Sequence, residues 1–185
     1  EQNIPKVELE ETFSKHIETR KFIRQLAMAN CWLASESEEM HMWKLYSDKN
    51  GIAIRSTPED IGNALIGRND VMINRVRYLD YSELGNDTIS RGSFISQATS
   101  RPHYLKYENE VRLIVTNPEL PIDSARFDQL PEGIGVAVNS SKLITTSVIR
   151  PEAEAWVFDV LEKLHSALGL QINLTISEFE FEPVW

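Results

Sequence analysis

The chain has one cysteine, no long apolar run and no glycine-rich loop, and each shortage excludes a class of protein. A single cysteine among 185 residues allows no internal disulfide framework and no cysteine-based zinc site. The apolar stretches fall far short of the roughly 20 residues that a membrane-spanning helix needs. The first residues, EQNIPKVELEETFSK, are acidic and polar, unlike a secretory signal peptide. We therefore expect a cytoplasmic protein without a membrane partner.

Common catalytic motifs are also missing. The sequence contains no HExxH metal motif, no Gly-x-Ser-x-Gly nucleophile elbow and no phosphate-binding loop. Its four histidines are scattered, at positions 16, 41, 103 and 165, and no three candidate ligands have metal-site spacing. We expect no metal cofactor.

The charge balance bears on partners. The chain carries 28 Asp and Glu residues against 19 Lys and Arg, a formal net charge of −9. Broad binding to nucleic acid depends on basic residues that neutralise phosphates, so nucleic acid is a disfavoured partner. A nuclease is the least favoured enzyme class, because no acidic pair followed by a strand lysine is present.

The hydrophobic patterning predicts an α+β fold with one mixed, largely antiparallel sheet and packed helices. Helices are predicted over residues 7–29, 38–47, 59–67 and 150–168. Strands are predicted over residues 29–35, 52–57, 71–81, 107–116, 133–138, 143–149 and 170–176. Polar residues 82–103 predict a loop with one helical piece. We expect one domain over residues 1–185, with a helical region at 1–29 and an α+β core at 30–180.

Three helix boundaries have sequence signals of their own. Ser37 and Thr57 precede acidic residues and are predicted N-caps, and Pro58 suits a first helical turn. Gly169 follows a wide apolar stripe and is the predicted C-terminal cap of the last helix.

Two segments are candidates for chemistry. CWLASESEEMHMWKLYSDKNGIAIRST (31–57) is dense in aromatic residues, which suits either a hydrophobic core or the wall of a pocket. In YENEVRLIVT (107–116), alternation places Glu108 and Glu110 on one face at the start of a strand. The simpler interpretation is an exposed strand face with Glu110 paired to Arg112. A buried Glu110 would need a partner or a function.

Several motifs resemble a bacterial family described only as a domain of unknown function. They are CW-x-x-S-E, MWKLYSDKNGIAIRST, VRYLDY, YENEVR and LITTSVIRPEAEAWVFDVLEKLHSALGL, in the family's order over about residues 22–180. Family members usually carry a further N-terminal segment with a Tyr-rich strand. We expect that this segment is absent from the present residues.

A remoter resemblance is to the core of the ADP-ribosyltransferases, and it implies NAD as a substrate and no metal. By that resemblance Glu110 is the catalytic carboxylate and Glu108 supports it, in a Glu-x-Glu arrangement. Four further residues would line the nicotinamide side: Trp32, Ser35, Trp43 and Tyr46. Cleavage of the bond between nicotinamide and ribose develops oxocarbenium character on the ribose, which a carboxylate stabilises. Flat aromatic side chains hold the nicotinamide ring by stacking on it.

Two hypotheses follow from these observations. The first is an intracellular bacterial ADP-ribosyltransferase-like protein or NAD glycohydrolase, acting as a toxin or defence effector. The alternative is a non-enzymatic module on the same fold that binds a nucleotide or a protein partner. The alternative predicts that Glu110 forms a structural ion pair with Arg112 or Arg55.

Overall fold

The structure is a computed structural model that describes residues 27–65, 67–80, 94–116 and 133–179. The chain divides into two compact units, Glu1–Ala34 with Asn69–Gly135 and Ser35–Arg68 with Val136–Trp185. Each unit contains strands and helices, so the predicted α+β class is confirmed. The prediction of a single domain over residues 1–185 stays a prediction.

The described elements alternate between short strands and short helices. In chain order they are β1 (Ala27–Leu33), α1 (Met40–Tyr46), β2 (Ile52–Arg55), α2 (Pro58–Ala64), β3 (Val71–Arg75), β4 (Arg77–Leu79), α3 (Phe94–Ala98), β5 (Ser100–Pro102), a 3-10 helix (His103–Glu108), β6 (Glu110–Thr116), α4 (Ser140–Leu143), β7 (Thr146–Ile149), α5 (Trp156–Ala167) and β8 (Asn173–Ile176).

In the first unit, β6 is the central strand of an antiparallel sheet. β1 and β3 flank it, and the register places Cys31 opposite Arg112 and Trp32 opposite Val111. A separate parallel pair joins β4 to β5. The adjacent apolar residues Ile114 and Val115 of β6 point to opposite faces of the sheet and are both buried, so both faces of the central strand are covered there.

In the second unit, β7 is the central strand of a sheet with β2 antiparallel and β8 parallel to it. Helix α5 buries Val157 and Leu161 in a cluster with Ile149. These two side chains are four residues apart and lie on one face of the helix, as the apolar pattern of the segment predicts.

The prediction of one sheet is wrong for the described residues, which form three separate sheets. The predicted long strand over 71–81 breaks at Val76, whose N–H donates to the Glu110 carbonyl at 2.9 Å. Beyond the break, β4 pairs with β5 instead of continuing along β6. Residues 133–138, predicted as a strand, are assigned to no strand.

Two of the three predicted caps are confirmed. Thr57 Oγ1 accepts a hydrogen bond from the Asp60 N–H at 3.1 Å, which makes it the N-cap of α2. Gly169 has a φ of 64°, and the next residue, Leu170, donates to the His165 carbonyl at 2.8 Å in a Schellman motif. Helix α1 begins after Glu39, so Ser37 is not its cap.

Two predicted helix boundaries are also wrong. Helix α5 begins at Trp156 rather than near residue 150, because the Arg150 guanidinium binds the Glu152 carboxylate and the carbonyls of Trp43 and Ser47. Residues 27–29, the last three of the helix predicted over 7–29, belong to strand β1 instead. The rest of that predicted helix lies outside the described residues. Part of the loop predicted over 82–103 lies outside them as well.

Candidate functional site

Glu110 is the first residue of β6, at a point where the backbone changes direction. The preceding residue, Asn109, has a φ of 38°, a left-handed conformation that asparagine adopts more readily than most residues. The Asn109 amide bridges two neighbours: it donates to the Ala34 carbonyl and accepts from Arg75 Nη2 at 3.0 Å. These bonds fix where β6 begins, and so fix the position of Glu110.

The Glu110 carboxylate is buried and engaged by Arg112, two residues along the same face of the strand. Arg112 Nε lies 2.8 Å from Oε2 and Arg112 Nη2 lies 3.0 Å from Oε1, a bidentate pair. Burial raises the pKa of Glu110, but hydrogen bonds from Arg112, Cys31 and Glu108, together with the positive charge of Arg112, outweigh burial and hold the pKa at about 2. Glu110 is therefore ionised at neutral pH, and a fixed positive charge offsets its negative charge.

Glu108 is placed differently from the prediction. It is the last residue of the 3-10 helix rather than a strand residue, and its side chain is buried beside Glu110. Burial raises the pKa of Glu108, and a hydrogen bond shared with the Glu110 carboxylate raises it further. Its Oε2 atom is buried without a hydrogen-bond partner among the described residues.

Arg101 holds the pair of carboxylates less tightly than Arg112 does. Its Nε lies 3.4 Å from Glu110 Oε1, and its Nη2 lies 3.9 Å from Glu108 Oε2, beyond hydrogen-bonding distance. The Arg101 side chain is also far more exposed than that of Arg112. We call Arg101, Glu108, Glu110 and Arg112 the carboxylate cluster. Within it, Arg112 is the fixed cation and Arg101 the accessible one.

The structure does not bring Trp32 together with Glu110. Directly opposed residues of an antiparallel pair point to the same face of a sheet, and Trp32 is opposed by Val111. Because neighbouring strand residues alternate between faces, Trp32 and Glu110 lie on opposite faces of the sheet. Cys31 shares the Glu110 face instead, and partial burial together with a hydrogen bond to the Glu110 carboxylate raises the pKa of its thiol.

The other three predicted nicotinamide-lining residues belong to the second unit and serve different local roles. Trp43 is 4% exposed, and its Nε1 donates to Glu38 Oε2 at 3.1 Å. Ser177, which directly follows β8, donates from its Oγ to the same carboxylate oxygen at 2.5 Å. Glu38 therefore links the Trp43 indole to the end of β8. Trp43 is therefore a core residue of its unit. Tyr46 is exposed, and Ser35 contacts the nearby Glu39.

A second feature of the first unit was missed by sequence reasoning. The 3-10 helix repeats every three residues, so its residues share edges in pairs. Leu105 and Glu108 form the inward edge, which leaves Tyr104 with Tyr107 on one outward edge and His103 with Lys106 on another. We call Arg101, His103, Tyr104, Lys106 and Tyr107 the tyrosine surface.

The tyrosine surface combines flat rings with positive charge. Tyr104 and Tyr107 are 68% and 51% exposed, Lys106 is exposed on the same 3-10 helix, and Arg101 lies two residues before that helix begins. The Tyr-x-x-Tyr spacing was visible in the sequence. It carried no signal there because only Tyr107 fell in the strand predicted over 107–116, whereas Tyr104 fell in no predicted element.

Comparison of the chain with protein-family models, curated proteins and solved structures gives no match. The resemblances to a family of unknown function and to the ADP-ribosyltransferases therefore stay predictions. Across the described residues, no helix is long and apolar enough to cross a membrane. No group of three or more metal-ligating side chains occurs within the same residues.

Proposed function

We propose that the protein is a non-enzymatic module that binds a nucleotide, the alternative that the sequence left open. The observation that carries the proposal is the bidentate pair between Glu110 and Arg112. A carboxylate that stabilises an oxocarbenium ion must present its negative charge to the substrate. The Glu110 charge is buried and matched by a guanidinium at 2.8 Å, which suits a structural role.

The tyrosine surface supports a nucleotide as the ligand. Exposed aromatic rings stack on bases, at about 1–3 kcal/mol per base in proteins that bind single strands. Arg101 and Lys106 supply charge for the phosphates, and the weak contacts of Arg101 leave its guanidinium able to turn outward. The overall charge of −9 opposes long polyanions more than it opposes one nucleotide.

Binding measurements with matched tyrosine variants test this proposal. Titration calorimetry with NAD, ATP and AMP is expected to show binding by the wild type for at least one of them. Tyr104→Leu is expected to weaken that binding about tenfold, since stacking on one ring is worth about 1–3 kcal/mol. Tyr46→Leu removes an equally exposed tyrosine from the second unit and is the control. Absence of binding to all three nucleotides, or equal loss in both variants, contradicts the proposal.

The NAD-using transferase is a second candidate, favoured by one observation. Glu108 and Glu110 are adjacent carboxyls whose pKa values are displaced in opposite directions, upward for Glu108 and to about 2 for Glu110. Such a divided pair is the usual arrangement for acid–base work at one site. This candidate requires that Glu108→Gln abolish nicotinamide release while NAD binding persists. The binding module requires that neither the wild type nor Glu108→Gln release nicotinamide.

A further inference from the structure

Arg101 belongs to both the carboxylate cluster and the tyrosine surface. It is paired with Tyr78 in the parallel β4–β5 sheet, and the Tyr78 hydroxyl accepts a hydrogen bond from the Glu110 N–H at 2.8 Å. The Arg101 side chain reaches the same place, with its Nε 3.4 Å from Glu110 Oε1 and its Nη2 3.9 Å from Glu108 Oε2. The Arg101 side chain is 43% exposed, so the cation that faces the carboxylates is also open to an anion from solvent.

The two carboxylates depend on Arg101 to different degrees. Glu110 has a bidentate partner in Arg112, which stays in place if Arg101 turns away. Among the described residues, Arg101 is the one cationic side chain within 4.0 Å of the Glu108 carboxylate. The Glu108 Oε2 atom is buried and has no hydrogen-bond partner there. A buried carboxylate that loses its close cation is more stable as the neutral acid, so withdrawal of Arg101 favours a proton on Glu108.

The surroundings of Glu108 make it the group that takes up the proton. The described elements around the Glu108–Glu110 pair supply titratable or charged side chains, namely Glu110 and Arg112 on β6, Arg101 on β5, Tyr78 on β4 and Cys31 on β1. Burial raises the pKa of Glu108 and Glu110 raises it further, whereas the positive charge of Arg101 lowers it. Glu110, with a pKa of about 2, stays ionised. Burial raises the pKa of the Tyr78 phenol and of the Cys31 thiol above their ordinary values, so both stay neutral.

We propose that nucleotide binding on the tyrosine surface is coupled to proton uptake by Glu108, because Arg101 moves from the carboxylates to a phosphate of the ligand. The inference rests on the proposed function, which supplies the phosphate. In the complex, the Arg101 guanidinium pairs with a phosphate oxygen, and a proton from solvent neutralises the Glu108 carboxylate. One ionic contact breaks and one forms, and no carboxylate is left buried, ionised and unpaired. By linkage, affinity for the nucleotide is expected to fall as pH rises through the range in which Glu108 titrates.

Titration calorimetry across pH tests the coupling with the tightest binder among NAD, ATP and AMP. Glu108→Gln is always neutral and keeps a hydrogen-bond donor, so it imitates the protonated acid. At about pH 8 it is expected to bind severalfold more tightly than wild type, and towards about pH 5 the two affinities are expected to converge. Glu154→Gln makes the same change of charge in the second unit and is expected to follow the wild type. Equal affinities of Glu108→Gln and wild type at every pH overturn the proposal.

Proton uptake itself gives a second measurement. Heats of binding in two buffers of different ionisation enthalpy count the protons taken up, and wild type is expected to take up more than Glu108→Gln. Titration of His103 and of the nucleotide occurs in both proteins and cancels in this difference. Arg101→Gln is expected to lose the excess uptake together with part of the affinity, since no cation is left to move. Binding by wild type without excess uptake overturns the coupling alone, whereas absence of binding to all three nucleotides overturns the proposed function as well.

Discussion

The two units differ in what they bury. Among the described residues, the first unit buries three apolar side chains together with the carboxylates of Glu108 and Glu110. The second unit buries eight apolar side chains and no carboxylate. Burying a charged group costs free energy unless a partner compensates it, whereas burying apolar side chains stabilises the fold directly. The second unit is therefore organised by packing, and the first by a polar arrangement that fixes the chain around Glu110.

Surface charge separates the units in the same way. The described part of the first unit carries five Lys and Arg residues against four Asp and Glu, whereas that of the second carries seven against eleven. Among the described residues, the excess of acidic over basic side chains therefore lies in the second unit. An anionic ligand meets a more favourable local charge on the first unit, where the tyrosine surface lies.

Replacing the central aromatic of the second unit is expected to have the largest effect. Trp43→Ala removes a nearly fully buried side chain and is expected to lower the free energy of unfolding by about 4 kcal/mol. Trp43→Phe keeps most of the burial and loses only the bond to Glu38, so about 1 kcal/mol is expected. Denaturant titration measures both, and amide exchange is expected to place the loss in the second unit. Equal losses in the two variants would contradict a packing role.

The first unit is expected to depend on its ion pair. Glu110→Gln leaves the Arg112 guanidinium buried without a charged partner, which is expected to lower the free energy of unfolding by about 3 kcal/mol. Glu154→Gln disrupts the exposed pair with Lys49 and is the control, with little change expected. A Glu110→Gln protein as stable as the control would show that the pair contributes nothing to the fold.

Removing a single hydrogen bond at the start of a helix is expected to change the free energy of unfolding by less. Thr57→Ala removes the N-cap of α2 and is expected to lower the free energy of unfolding by about 1 kcal/mol. Thr57→Ser retains the hydroxyl and is the matched control. Thermal unfolding of the three proteins checks the order, which fails if the serine variant is as unstable as the alanine variant.

The smallest effect expected is a change in pH dependence at Glu108. Because the folded-state pKa of Glu108 is raised above 4.5, its contribution to stability is present at lower pH and is lost as pH rises through the raised value. Glu110 acts in the opposite sense: with a pKa of about 2, its contribution is lost as pH falls from 4.5 towards 2. Glu108→Gln cannot titrate and is expected to abolish only the decline above pH 4.5.

Unfolding free energies measured across pH separate the two carboxyls. The Glu108→Gln protein is expected to gain stability relative to wild type as pH rises above 4.5, and to keep the acid limb that Glu110 produces. Loss of the acid limb in Glu108→Gln, with the decline above pH 4.5 retained, would mean that the assignments of the two groups are reversed.

Local patterns predicted most elements of the fold. The apolar runs that became β1, β6, β7 and β8, the cap at Thr57 and the glycine at position 169 all depend on neighbouring residues alone. The division into three sheets does not, because the break at Val76 depends on a bond to the distant Glu110 carbonyl. The late start of α5 likewise depends on Arg150 reaching carbonyls of α1 and its C-cap.

The candidate site was predictable only in part. Alternation correctly paired Glu110 with Arg112 on one face of a strand, but it expected that face to be exposed. It also placed Glu108 in the strand, because an asparagine by itself is too weak a signal to predict the left-handed Asn109 that separates the two glutamates. Trp32 and Glu110 lie on opposite faces because of the register between β1 and β6. The spacing of residues along the chain does not predict that register.

Nicotinamide release from NAD, measured for the wild type beside Glu110→Gln, tests the structural role of Glu110 most directly. If Glu110 serves the fold, neither protein releases nicotinamide above the rate in buffer, and Glu110→Gln differs from wild type only in stability. Release by the wild type that disappears in a Glu110→Gln protein with an unchanged circular dichroism spectrum would contradict this role and establish a catalytic one.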